Sequence, residues 1–92
     1  MEFEWDPAKD RQNQANHGVS FEEASTVFGD PFALTITDPD HSWDEDRFLT
    51  TGYSNHERLV IVAHTDRDER IRPITARDVT PAERHVYEDE PR

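Results

Sequence analysis

Cysteine is absent from the 92-residue chain. That excludes disulfides, thiolate nucleophiles and cysteine-based zinc sites, and leaves packing to stabilise the fold. The three glycines, Gly18, Gly29 and Gly52, stand far apart, so there is no P-loop or other glycine-rich phosphate cradle. No apolar run approaches the roughly 20 residues that a membrane span needs. The N-terminus also lacks the basic-then-apolar pattern of a signal peptide, so the expected location is cytoplasmic. Hydrophobic residues make up only 33% of the chain against 34% charged, which predicts a thin core in a single domain, residues 1–92, of modest stability.

Positive charge is scarce and unevenly placed. The net charge is -11, and Lys9 is the single lysine. Residues 1–46 carry 2 basic against 12 acidic side chains, whereas residues 47–92 carry 8 against 9. An acidic surface repels phosphate at long range, but the late clustering of arginines weakens that objection to a nucleic-acid substrate. Two causes fit the acidity: a salt-rich cytoplasm, or an acidic outer face that docks a basic partner.

The apolar run Leu59–Ala63, rich in β-branched residues, predicts a central strand covered on both faces. Before it, Phe3 and Trp5 alternate with acidic residues as a short edge strand. Asp6-Pro7 opens a helix that Gly18 closes in a left-handed cap, with only Ala8 and Ala15 to pack. Ser20 and Glu23 form a capping box for a second helix, whose core face carries Phe21, Ala24, Val27 and Phe28 and which stops at Gly29-Asp30-Pro31. Phe32 to Thr37 alternates as a strand, and His41 to Asp46 reads as an acidic loop. Strands follow over Arg47–Tyr53, from Leu59, and over the returning segment that carries Arg70, Arg72 and Arg77. Pro73 cannot donate to a ladder, so that last strand should be an edge or carry a bulge. Thr80 and Glu83 form a second capping box for a short helix bearing Val86 and Tyr87, and the tail from Glu88 should fray. The sum is an α+β fold, N-terminal helices packed on a four-stranded antiparallel β-sheet with a short C-terminal helix.

Chemistry is sought where cations gather. Arg70 and Arg72 point to one face of their strand, Arg77 lies further along, and His64 ends the central strand. An imidazole with several guanidiniums suits phosphodiester chemistry, since RNA cleavage needs a base for the 2′-hydroxyl, positive charge on the phosphoryl group and an acid for the leaving oxygen. Each residue has a structural reading beside the chemical one. His64 could serve a backbone carbonyl, the arginines could pair with Asp66, Asp68 and Glu69, and Tyr87 could be core instead of stacking on a base. Asp44, Glu45 and Asp46 are open to a general-base or divalent-ion role, with a solvated loop the simpler reading. His41, His56 and His85 lack ligand-like spacing, so no metal or other cofactor is expected.

The segments FEWDPAK, HGVSFEEA, VFGDP, DPDHS, DRF, VAHT, RIRPITAR and AERHVYE resemble, in order and spacing, the BrnT family of toxins from toxin–antitoxin modules. The resemblance covers nearly the whole chain. It implies a RelE-like or barnase-like small ribonuclease fold and a metal-independent endoribonuclease that inhibits translation. It also implies a BrnA-like ribbon-helix-helix antitoxin as partner, with operator DNA bound only through their complex. The alternative is a catalytically inactive interaction module acting only in antitoxin binding and autoregulation. By position, the resemblance implies catalytic roles for Arg47, His64, Arg72 and Arg77, and substrate contacts from Asp46, Arg70, Thr75 and Tyr87. The family's first helix commonly ends in basic residues where this chain has Ala15 and Asn16, and Pro73 replaces an aliphatic residue.

Overall fold

The computed structural model describes residues 1–41 and 46–90. In chain order they form β1 (Glu2–Phe3), α1 (Pro7–His17), α2 (Phe21–Thr26) with a 3₁₀ turn over Val27–Gly29, β2 (Leu34–Thr37), β3 (Arg47–Tyr53), β4 (Leu59–Arg67), β5 (Arg70–Asp78) and α3 (Pro81–Asp89). The sheet has five strands in the order β1-β5-β4-β3-β2. This corrects the four-stranded antiparallel expectation. The antiparallel meander β2 to β5 is present, but β1 adds a parallel strand against β5, pairing Glu2 with Arg70 and Phe3 with Ile71. Two further boundaries shift: β2 begins at Leu34, and α3 runs on through Asp89 where fraying was expected.

The apolar run of β4 divides between two faces, because successive side chains of a strand alternate. Val60 and Val62 join Val19, Ala24, Val27 and Ala76 in the core cluster under α1 and α2. Leu59, Ile61 and Ala63 face the other way and are also buried, and α3 leans over that second face through Val86 and Tyr87, which share a groove with Leu49 and Ile61. Phe3 packs on Phe28 and Trp5 on Phe21, so the N-terminal aromatics do turn inward.

α1 compensates for its lack of apolar residues with one buried amide. Asn13 donates to the carbonyl oxygens of Val19 and Ala76 at 2.8 and 2.9 Å and accepts from the Ala76 N–H at 3.1 Å. The side chain therefore ties α1 both to its own exit loop and to β5. At the first capping box only half the expected pattern forms. The Ser20 hydroxyl accepts from the Glu23 N–H, but the Glu23 carboxylate turns to Arg58 and to the Ser54 hydroxyl. Arg58 holds that carboxyl below its ordinary pKa against the opposing cost of burial.

Pro73 sits at a bulge, on a stretch of β5 whose outer side has no strand beside it among the described residues. In the β4–β5 ladder His64 pairs with Pro73 while Ala63 pairs with Thr75, so Ile74 is the extra residue. β1 does not reach this far along β5, its last bond running from the Glu4 N–H to the Ile71 carbonyl.

Candidate functional site

The bulge decides which way the arginines point. Arg72 and Arg77 are five residues apart and would face opposite sides of a regular strand. The additional residue at Ile74 reverses the alternation, so both face the side away from α1 and α2. Paired residues of an antiparallel ladder share a face, which gives that side three rows across the sheet: Arg47, Thr65 and Arg72; Leu49, Ala63 and Thr75; Thr51, Ile61 and Arg77. Over these rows lies a cleft of about 380 Å³, lined by Arg47, Arg77, Thr75 and the small Ala63, with Asp38, Asp40 and His41 along its rim.

Asp38 builds the rim. Its N–H donates to the Arg47 carbonyl oxygen at 2.8 Å, which docks the end of β2 on β3. One carboxylate oxygen accepts the Asp40 N–H at 3.0 Å, an Asx turn that brings His41 back over the sheet. The other lies 3.3 Å from His41 Nδ1 and 4.0 Å from Arg47 Nε. The Asp38 side chain is only 8% exposed, whereas His41 stands out at 54%.

Arg77 is held from the opposite side. Its two terminal nitrogens donate to the two oxygens of Glu83 at 2.8 and 3.0 Å. The same Glu83 accepts the Thr80 N–H and completes the capping box of α3. The pairing raises the Arg77 pKa and lowers that of Glu83. Between Arg47 and Arg72, Thr65 is 3% exposed, and its hydroxyl has no hydrogen-bond partner among the described residues. Arg72 contacts Glu4 at 3.8 Å.

The other residues proposed from sequence fall elsewhere. His64 lies on the helix-covered face, packed edge-on against Phe28 and tilted against Phe48. Its Nε2 is 2.8 Å from the Thr50 hydroxyl and its Nδ1 3.2 Å from Asp66. Burial lowers its pKa, and the Asp66 carboxylate opposes that shift. The structure therefore does not bring His64 together with Arg47, Arg72 and Arg77. Tyr87 is buried, donates its hydroxyl to Asp30, and meets Tyr53 edge-to-face, as a core tyrosine does. Arg70 and Asp46 are exposed at strand ends. Asp44 and Glu45 lie outside the described residues. What sequence reading missed is His41 with Asp38. The signal available was the Asp-Pro-Asp-His string, which supplies an Asx turn directly before a histidine.

An α+β domain that carries guanidiniums, a hydroxyl and an imidazole around a shallow cleft, on the sheet face away from α1 and α2, has the parts of a small phosphate-handling protein. The family profile for "Ribonuclease toxin, BrnT, of type II toxin-antitoxin system" matches residues 5–83, and the chain belongs to that family. Membership implies an antitoxin as partner. Among solved structures, the chain is similar to the 1.1 Å crystal structure of the Brucella abortus ribonuclease toxin BrnT, with a TM-score of 0.67 and 22% identity, over 87% of this chain and 97% of that one. No sequence among curated proteins matches. Among the described residues there is no group of three or more potential metal ligands and no helix long and apolar enough to cross a membrane.

Proposed function

We propose that this chain is an endoribonuclease toxin that inhibits translation by cutting RNA in the cleft between Arg47 and Arg77. A basic ribbon-helix-helix antitoxin of the BrnA kind neutralises it, and operator DNA is met only through their complex. The observation that carries this reading is the convergence of two guanidiniums, Thr75 and an imidazole on the one sheet face that α1 and α2 leave open. Arg47 and Arg77 would hold the scissile phosphate and the charge that builds on it during attack by the 2′-hydroxyl, with Arg72 beside the flanking phosphate. Guanidiniums supply the positive charge, so cleavage should survive chelation of divalent ions. His64 and Tyr87 then belong to the framework of the site.

The test is cleavage of a labelled RNA by the purified chain with EDTA present. Arg77→Ala and Arg47→Ala should each reduce the rate about 100-fold, the scale of losing one charge-stabilising donor, and should relieve growth arrest on induction in cells. Arg77 enters RNA chemistry by exchanging part of its Glu83 pairing for phosphate. A specific observation favours a silent interaction module: Arg77 is already neutralised by Glu83 in a chain of net charge -11. A folded chain that binds its antitoxin but neither cleaves RNA nor arrests growth would establish that module in place of the enzyme.

A further inference from the structure

We infer that His41 is the general base of RNA cleavage and that Asp38 is its positioning residue. The inference rests on the ribonuclease reading above and adds the proton-transfer group that reading lacks. His64 cannot fill the role, because its ring is 3% exposed and both of its nitrogens face Thr50 and Asp66 on the covered side of the sheet. His41 lines the cleft with Arg47, Arg77 and Thr75, and it is the imidazole that does so among the described residues.

Its surroundings favour one tautomer. Nδ1 lies 3.3 Å from a nearly buried Asp38 oxygen, and the field of that carboxylate favours the tautomer with its hydrogen on Nδ1, which leaves the lone pair on Nε2. Asp38 is in turn fixed by bonds that do not involve His41, to the Asp40 N–H and to the Arg47 carbonyl. A buried carboxylate that orients a partly exposed imidazole beside anion-binding groups is an arrangement suited to proton abstraction.

In the reaction, His41 Nε2 takes the proton of a ribose 2′-hydroxyl. The 2′-oxygen forms its bond to phosphorus while the bond from phosphorus to the 5′-oxygen breaks, and the leaving oxygen takes a proton from water. The products are a 2′,3′-cyclic phosphate and a 5′-hydroxyl. Among the described residues, the charged groups that line the cleft with His41 are Asp38 and Asp40 on its own turn, Arg47 on β3 and Arg77 on β5.

The experiment compares the wild-type chain, His41→Gln, His41→Gly, Asp38→Asn and Arg77→Ala on one RNA across pH 5 to 9, with thermal unfolding of each. The expected result is a loss of kcat of about 100-fold or more for His41→Gln, in the range of losing a positioned acid or base, with KM within about threefold and the fold intact. The acid-side fall of the wild-type profile should disappear in that variant, and added imidazole should restore part of the rate to His41→Gly. Asp38→Asn should lower kcat with KM little changed, the mark of a residue that positions the ring without touching RNA. Wild-type kcat in His41→Gln, alongside an inactive Arg77→Ala, would overturn the role of His41 and leave the ribonuclease reading standing. An inactive wild-type chain would remove both. Loss of kcat with an unaltered pH profile and no imidazole rescue would also overturn it.

Discussion

His64 shows how burial sets a residue's role. Its ring is sealed between Phe28 and Phe48, and desolvation holds its pKa below the ordinary value of 6.5 in spite of Asp66. The sign of the consequence follows from proton counting. Below pH 6.5 the unfolded chain takes up a proton that the folded ring resists, so stability is full above that pH and declines as the pH falls towards the lowered native value. Denaturant unfolding at pH 7.5 and pH 5.5 should show this decline in the wild-type chain and a smaller one in His64→Gln, which has no proton to gain. Equal declines in the two proteins would mean that other groups carry the acid sensitivity. Asn13 teaches a related lesson from the neutral side. Its amide replaces the apolar contacts that α1 lacks, yet two of its bonds reach Ala76, 63 residues away. No local pattern could have announced it.

At the level of elements, legibility followed locality. The Gly18 cap, the Thr80 box, the core face of α2 and the buried run of β4 all depend on neighbours in sequence, and all are present. The pairing of β1 with β5 depends on which distant edge is free, and was not legible. The same holds for the site. Arg47 and Arg77 were found as residue types, but their meeting on one face depends on a bulge whose position Pro73 hinted at without fixing the direction of the side chains. His41 was read as part of an acidic loop because its return over the sheet depends on three bonds made by Asp38. Glu83 gives a prediction at this scale. Glu83→Gln weakens both the α3 cap and the clamp on Arg77, and should cost about 1 kcal/mol of stability, typical of a lost cap interaction. It should also tighten single-stranded RNA binding, because Arg77 no longer has a carboxylate to leave. Weaker RNA binding in a folded Glu83→Gln protein would show that the clamp positions Arg77 instead of competing for it.

Over the whole molecule, the net charge of -11 on 92 residues dominates. Self-repulsion destabilises a compact, strongly charged chain, and salt screens it over about 10 Å at 0.1 M. The melting temperature should therefore rise as KCl increases from 0.02 to about 0.5 M. RNA affinity should respond weakly by comparison. Neutralising two phosphates of single-stranded RNA, the scissile one and its neighbour, implies a slope of about -1.4 in log affinity against log salt. A slope several times steeper would place RNA on a broader basic surface than this cleft. On the proposed ribonuclease reading, salt acts on the fold and on RNA binding in opposite directions, and the shallow slope would keep RNA bound where the fold is firmer.

The double use of Glu83 also orders events in time. α3 is the last element of the chain, so it docks on a sheet whose strands all precede it in sequence. Until then Arg77 sits at the margin of the sheet with no carboxylate to hold it and no helix beside it. The cleft takes its final form only when the last helix is capped. The finished site therefore depends on the last element to leave the ribosome, and a chain that has not yet docked α3 holds Arg77 unclamped.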